Sequence, residues 1–131
     1  MELLIAFATD NGKNFNDDHF GMAKYYQIYR FCDDAEEFVE KRENVEFQED
    51  ESKKHGDPAK AQATSSALTG VDVLVSKKFG PNITRMVNKF VCVVVRTSII
   101  SDAIKIVKNH MDEVIEEKNK TKDRRHLVFK Q

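Results

Sequence analysis

Three short runs of almost unbroken apolar residues most constrain how this chain can fold: LLIAFAT at 3–9, VDVLVS at 71–76 and FVCVVVR at 90–96. A strand with one wet face alternates apolar and polar side chains, whereas a strand covered on both faces has little polar surface to show. The runs are too short to span a bilayer. They predict central, mutually parallel strands with helices packed over them.

The remaining segments fill in around that sheet. DNG at 10–12 is a turn signal, because Asn and Gly tolerate positive φ. YYQIYRFC (25–32) suits a second strand. DDAEE (33–37) turns the chain, and FVEKRENVEFQ (38–48) mixes apolar and charged residues as an exposed antiparallel strand near an edge does. EDESKKHGDP (49–58) is a polar loop, and Pro58 suits the first turn of a helix over 59–68 with Ala59, Ala63 and Ala67 on one stripe. Gly70 stops that helix. GPN (80–82) opens a short helix whose apolar face is Ile83, Met86, Val87 and Phe90. Thr97 or Ser98 can cap a last helix, striped by Ile100, Ile104, Val107, Met111 and Val114. The order is β-β-β-α-β-α-β-α: an α/β fold with a five-stranded mixed sheet, in which an antiparallel meander feeds two strand–helix–strand units.

The chain has 131 residues, the size of one domain. Residues 1–110 carry the alternating pattern, and 111–131 read as a helical extension and charged tail with a small apolar island at Leu127–Phe129. The basic KNKTKDRRH (118–126) beside acidic DEVIEE (112–117) reads as a solvated helix end with its basic part fraying. A formal net charge of −1 gives no global basic field, so nucleic acid is not an expected partner. Cys32 and Cys92 lie in separate strand-like runs with no second Cys nearby, which predicts two buried free thiols in a reducing cytoplasm. MELLIAFATD has too short an apolar stretch before Asp10 for a secretory signal, so the expected location is cytoplasmic, with no membrane partner.

In such sheets ligands gather where the carboxyl ends of parallel strands lead into helices. Those loops are 9–24, 76–82 and 96–99. In DDHFGMAKYY (17–26), Phe20 is too apolar to leave in water and is expected to anchor the loop, while Gly21 bends it. His19 is then held beside a fixed point, as a metal ligand or as a turn-shaping residue. KKFGPN (77–82) sets Lys77 and Lys78 before a helix start, a place that suits an anion or simply a solvated turn. His55, in KKHGDP, is either a second ligand delivered by a loop or a solvated side chain; His110 and His126 read as surface residues. Asp10, Asp17, Asp18 and Asp72 raise a two-metal nuclease, but Asp72 begins its strand and so falls at the opposite rim. No nucleophile–base pair points to an enzyme.

ATDNG near the start, HFGMAKYYQIYRF about ten residues on, HGDPAKAQA entering the first helix and GVDVLVSKKFGPNI resemble the dinitrogenase iron–molybdenum cofactor biosynthesis family over residues 1–108. The resemblance implies a small stand-alone cofactor-binding domain with a ribonuclease H-like three-layer fold. It implies a carrier or chaperone, not a catalyst, for an iron–sulfur or molybdenum-containing cluster, transiently bound, with a cofactor donor or acceptor protein as partner. It points to His19 as metal ligand; the loop residue His55 is the candidate second ligand, and Phe20, Gly21, Lys77, Lys78, Gly80 and Asn82 are the candidate cofactor-binding residues of the rim. Lys77–Lys78 stand where the family commonly has a glycine pair, and Asn88–Lys89 where it commonly has a glycine before its last strand, which makes this rim more cationic. The other reading is a module without metal that binds a small anion or a protein partner through the 77–82 rim.

Overall fold

The computed structural model describes residues 2–44 and 58–130. The three apolar runs form the expected parallel neighbours: β1 (Glu2–Thr9), β4 (Val73–Ser76) and β5 (Val91–Val95), with Ile5 beside Val73 and Val73 beside Val91. β2 (Tyr25–Cys32) runs antiparallel to β1, and β3 (Ala35–Glu43) antiparallel to β2. β3 is the exposed edge, and Glu36, Glu37, Glu40, Lys41, Arg42 and Glu43 guard it with charge. It starts earlier than the pattern over 38–48 suggests, because Asp33 takes φ +54° and a two-residue turn joins Cys32 to Ala35. Val45, Phe47 and His55 lie outside the described residues.

Among the described residues the sheet has six strands, not five, in the order β3-β2-β1-β4-β5-β6. The apolar island of the charged tail is β6 (Leu127–Phe129), parallel to β5. Helices cover both faces. Leu3, Ile5 and Phe7 point toward α3 (Ile100–Asn109) and α4 (Met111–Lys118). Ala6 and Ala8 alternate to the other face, toward α1 (Pro58–Ala67) and α2 (Ile83–Met86).

Several expectations fail in detail. Helix α1 buries Ala61 and Thr64 rather than the 59/63/67 stripe; an alanine-rich helix has no apolar contrast to fix which side turns inward. The last helix breaks at His110, although Ile100, Ile104, Val107 and Val114 all stay buried across the break. Ile99, not Thr97 or Ser98, stands at the N-cap, without a side-chain hydrogen bond. His110 is half-buried rather than free at the surface: its ring stacks on Phe129 at 4.2 Å, with Nδ1 2.8 Å from the Ile106 carbonyl.

The basic segment after α4 does not fray. Arg124 donates to the Lys118 carbonyl at 2.8 Å, and the Arg125 N–H donates to Glu117 at 2.8 Å. Glu117, 5% exposed, also pairs with Lys120 at 2.9 Å. Burial pushes this carboxyl up, but the Arg125 N–H, Lys120 and Arg124 together pull it below the ordinary value of 4.5. A depressed folded value means that this stabilisation is complete above about pH 4.5 and is lost as pH falls through the folded value. Urea midpoints of the native chain should thus fall more steeply between about pH 5 and 3 than those of Glu117→Gln. Parallel curves would show that Glu117 is not anchored by these partners.

Both thiols are free, but only Cys92 is buried; Cys32, at the end of β2 where the chain turns, is exposed. Burial pushes the Cys92 thiol up to about 12. Iodoacetamide at pH 8 should modify Cys32 rapidly in the folded protein and reach Cys92 only on unfolding. Equal rates for the two would overturn this assignment.

Candidate functional site

The parallel direction of β1, β4 and β5 brings their carboxyl ends to one rim. The loop after β1 is built from its own side chains. Thr9 Oγ1 donates to the Asn14 carbonyl at 2.6 Å and accepts the Gly12 N–H at 2.8 Å. Asn11 accepts the N–H groups of Lys13 and Asn14 at 2.9 Å. The loop is then tied sideways: the Phe15 N–H donates to the Ser98 carbonyl and the Ile100 N–H to the Lys13 carbonyl, each at 2.9 Å. On the other side the Phe20 N–H donates to the Lys78 carbonyl at 2.8 Å.

These ties fix the stretch around His19. Asn16, buried, donates from its amide to the carbonyls of Asp18 at 3.1 Å and His19 at 3.0 Å. Phe20 opens a short 3-10 turn, Phe20–Met22, and its ring lies inside, stacked on Tyr26 (4.8 Å) and Phe79 (5.1 Å). The Tyr26 hydroxyl donates to the Phe20 carbonyl at 3.0 Å, and burial pushes that phenol's pKa up. Asn44 secures the turn's exit by donating to the carbonyls of Gly21 and Ala23. His19 faces outward with its side chain 32% exposed and Nε2 3.9 Å from Asp18.

Gly80 explains where the imidazole lies. It has φ +77°, and a Cβ there would fall within 2.6 Å of Cγ and Cε1 of His19. The ring therefore rests on the Gly80 backbone, an approach that only glycine leaves open.

Beside His19 is a narrow apolar cleft. It is lined by Phe20 and Met22 of the 3-10 turn, Ala61 and Thr64 of α1, Phe79, Pro81 and Met86. His19, Gly21 and Asn82 also line it. It holds only about 30 Å³, room for one or two small atoms. Of the residues that the sequence singles out, His19, Phe20, Gly21, Gly80 and Asn82 come together here. Lys77 does not: its ammonium turns the other way, 3.5 Å from Asp17 and from Ser98. Lys78 is exposed and lines no part of the cleft. Thr64, Phe79 and Met86 were not legible as site residues, because each reads as ordinary helix or core.

The nuclease arrangement does not form. Asp72 lies at the start of β4, where it accepts the Leu4 N–H at 2.9 Å and pairs with Lys118 at 3.3 Å. Asp10 accepts the Lys24 N–H at 2.8 Å. Among the described residues no three His, Cys, Asp or Glu side chains gather as a metal site. Among them, too, no helix is long and apolar enough to cross a membrane.

A metal–sulfur cargo can be tested against this donor set. Clusters are usually held by thiolates, and neither Cys32 nor Cys92 stands at the rim: one ends β2 at the opposite end of the strands, beside Glu2 at the start of β1, and the other is enclosed in β5. Among the described residues the rim offers one imidazole beside an apolar cleft. That suits a cargo bringing its own sulfur ligands and meeting the protein at one or two atoms.

No curated protein matches the chain. The family described as dinitrogenase iron-molybdenum cofactor matches residues 1–117, and this chain belongs to that family.

Proposed function

We propose that the protein binds a metal–sulfur cofactor of the iron–sulfur or iron–molybdenum type, or a precursor, at the His19 rim and carries it between a donor and an acceptor protein. The observation that carries this reading is the mounting of His19: clamped through its carbonyl by Asn16, followed by the anchored Phe20 and laid over Gly80 at the mouth of an apolar cleft. A residue held by so many supports is ready to act as a ligand. The family match supports the cofactor class. The absence of thiols from the rim supports loose, transferable binding over permanent ownership, and hence a carrier rather than an enzyme. The meander β3-β2-β1 extended by parallel β4 and β5 supports a ribonuclease H-like core, with β6 added at its edge.

The anion or partner reading through 77–82 has less behind it. Lys77 is turned to Asp17, and α2 is a single turn of four residues with little dipole to offer.

The test is metal content after expression with iron, molybdate and sulfide supplied. The native protein should purify coloured, and His19→Ala should retain at least tenfold less metal. Gly80→Ala, which displaces the ring without removing it, should fall between them. Equal metal in His19→Ala and the native protein, or none in either, would overturn the reading.

A further inference from the structure

Thr64 is 2% exposed, and its hydroxyl has no hydrogen-bond partner. That is unusual inside a helix, where Ser and Thr commonly turn the hydroxyl back to the carbonyl four residues earlier. The next two residues of α1 do so: Ser65 donates to the Ala61 carbonyl at 2.8 Å, and Ser66 to the Gln62 carbonyl at 3.0 Å. Thr64 does not, although a buried hydroxyl is costly to leave unpaired. It lines the cleft whose mouth is His19. Phe20, Phe79, Ala61 and Met86, which line the cleft beside Thr64, are apolar and buried.

We infer that Thr64 is a specificity-determining residue of the His19 site: its hydroxyl donates a hydrogen bond to a sulfide or oxo atom on the edge of a metal–sulfur anion whose metal meets His19. The inference rests on the function proposed above and adds to it the side of His19 on which the cargo lies. That side is the cleft between the 3-10 turn, α1 and α2, not the side where Lys77 faces Asp17 and Ser98. Size points the same way. A space of about 30 Å³ rejects a whole cluster but accepts one edge atom. Most of the lining is apolar, so an atom entering there meets few donors: the Thr64 hydroxyl and the Asn82 amide. A sulfide or oxo atom has only acceptor capacity, which is what the unpaired O–H can satisfy.

The probe is tetrathiomolybdate, titrated into the full chain and followed by its absorbance and by amide NMR shifts. Thr64→Val keeps the side chain's shape and removes only the hydroxyl. It should weaken binding by about tenfold, the worth of one such hydrogen bond. Its melting temperature should be equal to or above that of the native protein, since an unpaired buried hydroxyl is lost; a merely structural Thr64 would lower it. Thr64→Ser should bind like the native chain. Amide shifts should centre on Ala61, Thr64, Phe79 and Met86 rather than on Asp17 and Ser98. If Thr64→Val binds as well as the native chain while His19→Ala does not, the hydroxyl meets at most a buried water and this inference fails, with the His19 reading intact. If His19→Ala also binds normally, or the native chain does not bind, both fail.

Discussion

Removal of residues 119–131 is expected to destabilise the protein by at least about 3–5 kcal/mol and to make it self-associate. Three losses combine. The Phe129 ring, 3% exposed and stacked on His110, leaves the core, a change comparable to a buried Phe→Ala substitution. Glu117, itself buried, loses the Arg125 N–H and the Lys120 ammonium. A buried charge stripped of partners costs more than the partners contributed while present. Finally β5, whose side chains Val91, Cys92, Val93 and Val95 are all buried, becomes an unguarded edge. An edge that apolar and that flat invites strand pairing with a second copy. Urea denaturation and light scattering measure the two effects. Phe129→Ala in the full chain separates them: it should lose about 3 kcal/mol yet scatter light no more than the native chain, because the backbone of β6 remains. A truncated chain with the native midpoint would mean that β6 contributes nothing to the fold.

That strand also marks the limit of what could be read from residues alone. The 3–9, 71–76 and 90–96 runs are legible because burial on both faces removes every polar alternative; nothing but a central strand fits them. Leu127–Phe129 is three residues in a basic tail, and its burial is decided by the open edge of β5, more than thirty residues away in sequence. Local pattern carries no trace of such a partner. Cys32 misleads for a related reason. In YYQIYRFC nearly every position is aromatic or apolar, so alternation does not say where cover ends, and exposure at Cys32 follows from the turn at Asp33. At the rim, His19 is legible because Phe20 and Gly21 give its neighbours clear tasks. Lys77 and Lys78 are adjacent in sequence, yet the structure sends Lys77 to the Asp17 side and leaves Lys78 exposed. Thr64 sits in an alanine-rich helix with no contrast to orient it, and its significance rests on a missing hydrogen bond, which no sequence spells out.

The contrast between His19 and Phe20 gives the sharpest test of how the rim is built. Phe20→Ala should cost about 3–5 kcal/mol and lower the melting temperature by roughly 10–20 °C. The ring is 2% exposed and lies between Tyr26 and Phe79, so its removal leaves a cavity bounded by two large aromatic groups that cannot both collapse into it. Its backbone has two further roles that the substitution loosens: the N–H donates to the Lys78 carbonyl, joining the two rim loops, and the carbonyl accepts the Tyr26 hydroxyl. His19→Ala should cost less than about 1 kcal/mol, because the clamp from Asn16 grips the His19 carbonyl, which alanine retains, and the side chain itself is a third exposed. Phe20→Leu, which keeps most of the apolar volume, should fall between them. The order Phe20→Ala, Phe20→Leu, His19→Ala in falling destabilisation follows only if the phenyl ring is the anchor and the imidazole is its dependent. Thermal unfolding of the three variants decides it. Were His19→Ala to unfold as early as Phe20→Ala, the imidazole resting on Gly80 would itself be a structural wedge. Its 32% exposure would then be a consequence of packing rather than room for a ligand.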